Sequence, residues 1–232
     1  MTDVIVITGA TSGIGAATAR RFANDGYTCV LNARSNDDLR DLATDIPGDH
    51  IIVSGDIGVE STSERIADAV SDAGELSVLF ANAGYGEFKP VESFTKDEFE
   101  SQFRTNVTGV FLPVKHLLPV FREQGTGSII ITSSMAAKNT FSGGSAYSAT
   151  KHAVEGFIGC VKQELRDTRV KCASLQPGSV DTAFFDGLGM GPTEDRYLDA
   201  EDVAKTVQFV AEQPNSADID EVVLRPAKRS EH

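Results

Sequence analysis

The chain is expected to fold as an α/β protein, a doubly wound and mostly parallel seven-stranded sheet with helices on both faces. Three observations predict this. Short apolar runs of strand length alternate with segments of helical period along all 232 residues. A glycine-rich turn joins the first run to the first helical segment. Neither an internal repeat nor a linker interrupts the alternation, so residues 1–232 read as one domain.

In order, residues 4–7 (VIVI) are a buried strand that ends in Thr8-Gly9. The next helix starts near Ile14, carries Ala17, Ala19 and Phe22, and stops at Asn24-Asp25-Gly26. Residues 28–32 are the second strand. Ser35-Asn36-Asp37-Asp38 is capping chemistry ahead of a short helix to about Asp45. Residues 51–54 are the third strand. Ser61-Thr62-Ser63-Glu64 opens a helix with Ile66, Ala69 and Val70 on one side. Residues 78–81 are the fourth strand and run into Asn82-Ala83-Gly84.

Residues 95–121 are helical by period, with Phe99, Phe103, Val107, Val110 and Phe111 as apolar positions. Pro113 and Pro119 are expected to bend or interrupt the second half. Residues 128–132 are the fifth strand. The helix from Tyr147 to about Thr168 presents Ala153, Val154, Phe157, Ile158, Val161 and Leu165 on one face. Residues 170–175 are the sixth strand, and 183–197 a glycine-bearing loop with room for a short helix. A helix over 200–211 and a strand over 220–224 complete the chain.

Composition narrows the function. A 41% hydrophobic chain of this length can bury a large core. The net charge of −13 argues against nucleic acid and anionic membrane surfaces as partners. A solvated acidic surface explains it most simply, and it also suits a salty cytoplasm. With no apolar run of membrane-span length and no signal peptide, a cytoplasmic protein is expected. Cys29, Cys160 and Cys172 are odd in number and scattered, so they read as reduced thiols. His50, His116, His152 and His232 lack ligand spacing, and no metal is expected.

The chemistry concentrates in TSSMAAKNTFSGGSAYSATK, residues 132–151. Ser134 lies just past a strand end. Tyr147 and Lys151 are four apart and share one helix face. A free phenol titrates near about 10, too high to take a proton from an alcohol at neutral pH. A nearby ammonium favours the phenolate and moves it towards working pH. Ser134 can hydrogen-bond a substrate oxygen while Tyr147 exchanges a proton with it. Read alone, YxxxK is an ordinary exposed pair and Ser-Ser ordinary turn chemistry.

The first turn supplies context. Thr8-Gly9-Ala10-Thr11-Ser12-Gly13-Ile14-Gly15 has the spacing GxxxGxG. The commoner GxGxxG fails, since its third position counted from Gly13 is Thr18. Glycines there let backbone amides and a helix N-terminus approach a phosphate, so a Rossmann-type dinucleotide site is expected.

With these motifs the chain resembles the short-chain dehydrogenase/reductase family over nearly all of its length. The carriers, in order, are the Thr8–Gly15 loop, Asp56, Asn82-Ala83-Gly84, Asn106, Ser134, Tyr147, Lys151, Pro177-Gly178 and Thr182. Ser134 stands thirteen residues before Tyr147, the spacing that family favours, which selects it over Ser133.

The resemblance implies an oxidoreductase acting on a carbonyl or secondary alcohol, with catalytic Asn106, Ser134, Tyr147 and Lys151. Tyr147 would be the acid/base. Lys151 would lower its pKa and hold the nicotinamide ribose. Ser134 would orient the carbonyl. Asn106 would bend its helix and help hold a proton-relay water. Cofactor contacts would come from Gly9, Thr11, Ser12, Gly13, Ile14, Gly15, Arg34, Ser35, Asp56, Ile57, Asn82, Ala83, Gly84, Tyr147, Lys151, Pro177, Gly178, Val180 and Thr182. A homodimer or homotetramer is implied as well, paired through helices 95–121 and 147–168.

Ala81 and Pro113 depart from the family pattern, and Pro113 puts the straightness of its helix in doubt. The stretch EVVLRP, residues 221–226, resembles a subgroup that oxidises small 3-hydroxy acids, for which Arg196 or Lys138 would meet the carboxylate. Otherwise a general ketone or 3-oxoacyl reductase is implied. Phe184, Phe185, Leu188, Met190 and Tyr197 are an apolar lining or core. An epimerase or dehydratase would need a longer C-terminal region, and a non-catalytic dinucleotide sensor would tend to lose Tyr147 or Lys151.

The second strand ends Leu31-Asn32-Ala33-Arg34-Ser35. Ala33 stands where an acid about 20 positions past the glycine loop would bind a ribose 2′-hydroxyl. Arg34 and Ser35 can instead grip a 2′-phosphate, so NADP(H) is expected over NAD(H). Ser12, at a position often basic in phosphate users, and the nearby Asp37 and Asp38 weigh against it.

Overall fold

The computed structural model describes residues 2–182, 184 and 197–227. Seven strands form one parallel sheet in the order β3-β2-β1-β4-β5-β6-β7. They are β1 Asp3–Thr8, β2 Thr28–Ala33, β3 His50–Ser54, β4 Glu75–Ala81, β5 Thr126–Thr132, β6 Arg169–Pro177 and β7 Glu221–Leu224. The helices are α1 Gly13–Asn24, α2 Asn36–Asp45, α3 Glu60–Ala73, α4 Lys96–Phe103, α5 Gly109–Gln124, α6 Ser145–Leu165 and α7 Ala200–Ala211.

The two-residue period of the strands splits the core into two layers. Val4 and Val6 of β1 face α3, α5 and α6, packing with Ile66, Val70, Leu117, Phe121, Val154 and Ile158. Ile5 and Ile7 face α1, α2 and α7, packing with Phe22, Leu39, Val203 and Val207. Both faces of the central strands are therefore dry, which is why β1 reads as an unbroken apolar run rather than an alternating one. Burying each such side chain stabilises the fold by about 1.5–3 kcal/mol.

Strand order reverses at β1, with β2 and β3 on one side and β4 to β7 on the other. The connections leaving β1 and β4 part there, and the carboxyl ends of these strands border a crevice suited to a ligand. Among the described residues, no helix is long and apolar enough to cross a membrane.

Three local expectations are corrected. α3 begins at Glu60, after Val59, so Ser61 does not cap it. Asp56 instead closes the turn ahead of the helix: its Oδ1 accepts from Gly58 N at 2.9 Å while its carbonyl accepts from Val59 N at 3.0 Å. Thr62 and Ser63 are freed for burial.

The prolines do not interrupt α5, which runs unbroken through Pro113 and Pro119. Pro113 lies in its first five residues, where helix register has just changed, and Pro119 is exposed, so the carbonyl it leaves unpaired can face water. The break comes earlier, as a π-helical turn over Arg104–Thr108 centred on Asn106. The extra residue rotates α5 relative to α4, and Phe99 and Phe111, expected on the buried face, are 41% and 43% exposed. The polar Gln102 is fully buried in the same stretch. A capping box of Thr95 and Glu98 starts α4. α6 ends at Leu165, three residues short of expectation, where Thr168 N folds back to its carbonyl at 2.8 Å.

Candidate active site

Thr8, at the end of β1, accepts from the amides of Asn82 and Ala83 on its Oγ1, both at 3.0 Å. Asn82 Nδ2 donates back to Thr8 O at 3.3 Å and Gly9 O at 3.4 Å, and its Oδ1 accepts from Thr132 Oγ1 at 3.1 Å. One side chain thus ties the ends of β1, β4 and β5 together beside the crevice. Gly9 and Gly13 have φ of +66° and +49°, values that favour glycine. A Cβ on Gly15 would stand 2.0 Å from Gly9 O, so α1 packs directly onto the loop. A Cβ on Gly13 would meet Thr182 at 2.7 Å.

Ser12 occupies the N-cap of α1 in extended conformation, and its side chain makes no cap hydrogen bond. The first-turn amides of a twelve-residue helix are left for another acceptor, an arrangement that fits a pyrophosphate. Thr11 and Ile14 flank this position, half-buried.

At the ends of β2 and β3, Arg34 is exposed, and among the described residues its side chain makes no hydrogen bond or ion pair. Ser35 caps α2 by accepting from Asp38 N at 3.2 Å. Besides its turn hydrogen bond, Asp56 lies 3.7 Å from the guanidinium of Arg104. Ile57 is buried, and a Cβ on Gly109 would touch it at 2.7 Å.

The four candidate catalytic residues come together past β5. Ser134 opens a short 3-10 turn, accepting from Ala136 N at 3.1 Å, and stands near enough to Tyr147 to favour its phenolate. Tyr147 and Lys151 sit on one face of α6, both buried, with the Lys151 ammonium 5.7 Å from the Tyr147 ring centroid. Lys151 Nζ donates to Thr132 O at 2.9 Å. Gly84 leaves room at this point: a Cβ there would lie 3.2 Å from Asn106 Oδ1 and 3.8 Å from Lys151 Nζ.

Burial dominates the electrostatics. It pushes the Tyr147 phenol up to about 12, against the pull of the Ser134 hydroxyl. It brings the Lys151 ammonium down to about 8, against the nearby Glu155 carboxylate. The expectation that Lys151 lowers the Tyr147 pKa is thus outweighed in this structure. The ammonium lies over the ring and is directed at a backbone carbonyl, and dehydration of the phenolate wins. A phenol held neutral in this way can give a proton to a carbonyl oxygen.

On the far side, Pro177 ends β6, and Gly178 N donates to Leu224 O at 2.8 Å. Val180 pairs with Leu198 in an isolated bridge, and Thr182 packs on the glycine loop. Of the anticipated apolar lining, Phe184 and Tyr197 are described; Phe185, Leu188 and Met190 lie outside the described residues, as does Arg196. Lys138 is ion-paired with Glu221 at the start of β7.

Sequence reasoning missed several residues here. Phe184, expected in an apolar lining, is joined at Tyr147 by Phe88, with Phe141 packed on Phe88, and Gln102 Oε1 accepts from Glu87 N at 3.2 Å on the segment that carries Phe88. The i, i+4 pair Gln102 and Asn106 was the available signal. Histidine spacing also did not foresee that Glu60, Glu64 and His116 place ligand-type atoms within 4.8 Å of one another, although Glu60 is already held by Lys115. A separate pocket, lined by Asp3, Glu75, Thr126 and Lys171 among others, opens at the amino ends of the strands, away from all this chemistry.

The short chain dehydrogenase family model matches residues 3–190. An oxidoreductase of Staphylococcus haemolyticus is 32% identical over 225 residues, 96% of each chain. The solved alcohol dehydrogenase of Thermococcus sibiricus, complexed with 5-hydroxy-NADP, is 31% identical, with a TM-score of 0.89 and 100% coverage of both chains. A 3-ketoacyl-(acyl-carrier-protein) reductase of Brucella melitensis, complexed with NADH, is 27% identical, with a TM-score of 0.87 and 97% coverage of both. By fold, by motif order and by these likenesses, the chain belongs to the short-chain dehydrogenase/reductase family of oxidoreductases that act on CH–OH groups.

Proposed function

We propose that residues 1–232 work as one nicotinamide-binding domain that interconverts a carbonyl compound and a secondary alcohol, with NADP(H) preferred. The observation that carries this is the convergence of Ser134, Tyr147 and Lys151 at the carboxyl end of β5. There the tyrosine side chain is buried, and Ser134 stands where it favours the phenolate.

A reduced nicotinamide, when bound, supplies the hydride that becomes the new C–H bond and is oxidised by two electrons as the carbonyl is reduced. The chain's own residues do the rest. Ser134 donates a hydrogen bond to the substrate oxygen and fixes its position. Tyr147 gives that oxygen its proton; in the reverse direction it takes the proton back. Lys151 places a positive charge behind the phenol and offers donors to ribose hydroxyls. Asn106 fixes the segment that roofs the site.

Support for NADP(H) comes from Ala33 and the uncommitted Arg34, and from the Thermococcus sibiricus enzyme, solved with an NADP derivative. A general ketone or 3-oxoacyl reductase and a dehydrogenase of small 3-hydroxy acids both remain within this reaction class. The test is a turnover assay with NADPH and with NADH over a panel of carbonyl compounds. Carbonyl-dependent oxidation of the cofactor is expected. Tight dinucleotide binding without turnover of any substrate would mark a sensor and overturn the reading.

A further inference from the structure

Two aromatic rings reach Tyr147 from parts of the chain far apart in sequence, and a third packs on one of them. Phe88, on the segment after β4, meets the Tyr147 ring edge-on at 5.4 Å between centroids. Phe184, beyond β6, does so at 5.5 Å, and lies 6.2 Å from Phe88. Phe141, before α6, is 5.5 Å from Phe88 and 47% exposed.

The backbone is shaped to hold these rings. A Cβ on Gly86 would stand 2.6 Å from Phe88 Cζ and 2.8 Å from Phe184 Cζ. A Cβ on Gly144 would stand 2.5 Å from Phe141 Cζ. A side chain at either glycine would displace the rings. Hydrogen bonds then pin the segments that carry them. Gln102 holds Glu87 N, Asn106 holds both polar groups of Tyr85, and Lys89 N donates to Gly143 O at 2.9 Å.

Two lysines among the described residues are already matched by carboxylates. Lys89 Nζ sits between Glu87 at 2.8 Å and Glu98 at 2.7 Å, and Lys138 is paired with Glu221. A substrate carboxylate would find both of these lysines already neutralised, in a chain of net charge −13. A neutral ring would meet other rings in the edge-on and tilted arrangements that aromatic pairs favour.

We infer that the substrate is a neutral carbonyl compound with an aromatic ring attached at or next to the carbonyl carbon, or the matching alcohol, with Phe88, Phe141 and Phe184 as the specificity-determining residues. The inference rests on the carbonyl-reductase reading above. Ring contact begins at the Tyr147 ring itself, so the substrate ring must lie within about one ring length of the proton-exchanging hydroxyl.

The test compares kcat/KM, with reduced cofactor, for acetophenone, methyl 3-oxobutanoate and 3-oxobutanoate. The last two are alike in carbon skeleton at the reacting ketone but differ in charge. Acetophenone should exceed the ester by about tenfold or more, and the ester should exceed the acid. Phe88→Ala should lower the ratio of acetophenone to ester by about tenfold. Phe88→Leu, which keeps apolar bulk, should lower it in the same direction and guards against a folding defect, checked by thermal melting. Preference for 3-oxobutanoate, or a ratio unmoved in Phe88→Leu, overturns this inference and leaves the reductase reading intact. Failure to reduce any carbonyl, with dinucleotide binding retained, overturns the reductase reading and this inference together.

Discussion

Asn106 hydrogen-bonds both backbone polar groups of Tyr85: its Oδ1 accepts from Tyr85 N at 3.0 Å, and its Nδ2 donates to Tyr85 O at 2.9 Å. The side chain pairs with Tyr85 much as a neighbouring strand would. Its second amide proton goes to Thr150 Oγ1 at 3.1 Å, and Thr150 donates to Tyr147 O at 2.7 Å. A continuous set of hydrogen bonds therefore joins the segment over the site to the helix that presents the acid/base. The π-helical turn puts Asn106 where it can do this, fully buried between the two.

Asn106→Asp tests that link. The substitution keeps the acceptor for Tyr85 N but replaces the donor with an oxygen facing Tyr85 O and Thr150. It should cost about 2 kcal/mol of stability in urea unfolding, since buried groups lose their partners. The same variant should lose more than about tenfold in kcat/KM, because Tyr147 and Lys151 share the disturbed helix. Unfolding and activity both at wild-type values would show that the bonds to Tyr85 hold nothing in place.

Much of this was legible in the sequence, for identifiable reasons. α7 was expected over 200–211 and is found at Ala200–Ala211, because its signal is local: a clear helical period bounded by polar residues. Ser134, Tyr147 and Lys151 were legible because a helix turn and one strand end place them. The order of strands was not, because pairing partners such as β1 and β4 are about 70 residues apart in the chain. A bend at Asn106 was expected from the family resemblance, but its π-helical form was not, because Tyr85 and Thr150, the partners that occupy Asn106, come from elsewhere. Phe88, Phe141 and Phe184 were illegible as a group for the same reason; singly they are ordinary loop aromatics.

Tyr147→Phe should fold and bind dinucleotide as the native protein does, since only a hydroxyl is removed. Turnover should fall by about 10²–10⁴, the usual worth of a positioned proton donor. Ser134→Ala removes a neighbouring hydroxyl that favours the phenolate, so the Tyr147 phenol should rise further. Alcohol oxidation, which needs the phenolate, should then move the ascending limb of its pH profile to higher pH. A limb that moves to lower pH would contradict the role given to Ser134.

Lys151 carries a pH signature of its own. Its ammonium titrates at about 8 in the folded chain against an ordinary value of 10.5, because burial opposes the charge. Between these values the unfolded chain holds the proton and the folded one does not, so this group makes stability rise with pH in that window. Lys151→Met removes the contribution. The melting temperature of the native protein relative to Lys151→Met should therefore climb from pH 8 towards pH 10, where titration of other groups cancels in the comparison. A flat difference would show that Lys151 keeps an ordinary pKa.

The outer face of α5 and α6 is expected to pair with a second copy. Phe111 is 43% exposed and stacks edge-on with Phe157 at 6.1 Å. Beside Phe157, Gly156 and Gly159 meet nothing within 4 Å, so another helix can approach closely. Sedimentation at micromolar protein in moderate salt should show a dimer or tetramer, and Phe111→Asp should shift it towards monomer. A monomeric native protein would contradict the resemblance that suggests the pairing.

Cofactor preference turns on the carboxyl end of β2. Ala33 is the last residue of that strand, and its carbonyl accepts from Gly55 N at 2.9 Å, so the backbone there is fixed while its side chain is one methyl. No carboxylate stands at this position to bind a ribose 2′-hydroxyl or to repel a 2′-phosphate. Arg34 follows, exposed and uncommitted among the described residues, able to grip a phosphate through two hydrogen bonds. Ser35 accepts from Asp38 N as the α2 cap, which leaves its hydroxyl hydrogen free to donate to the same phosphate. Asp37 and Asp38 lie close by but in the first turn of α2, where the helix dipole favours them. The native enzyme should therefore show a higher kcat/KM with NADPH than with NADH. Arg34→Ala should lower the NADPH value by about tenfold, the worth of one charge-assisted contact, with little change for NADH. Ala33→Asp should reverse the preference by repulsion. A native enzyme that favours NADH, or an Arg34→Ala variant that loses both cofactors equally, would show that Arg34 is an ordinary solvated loop residue.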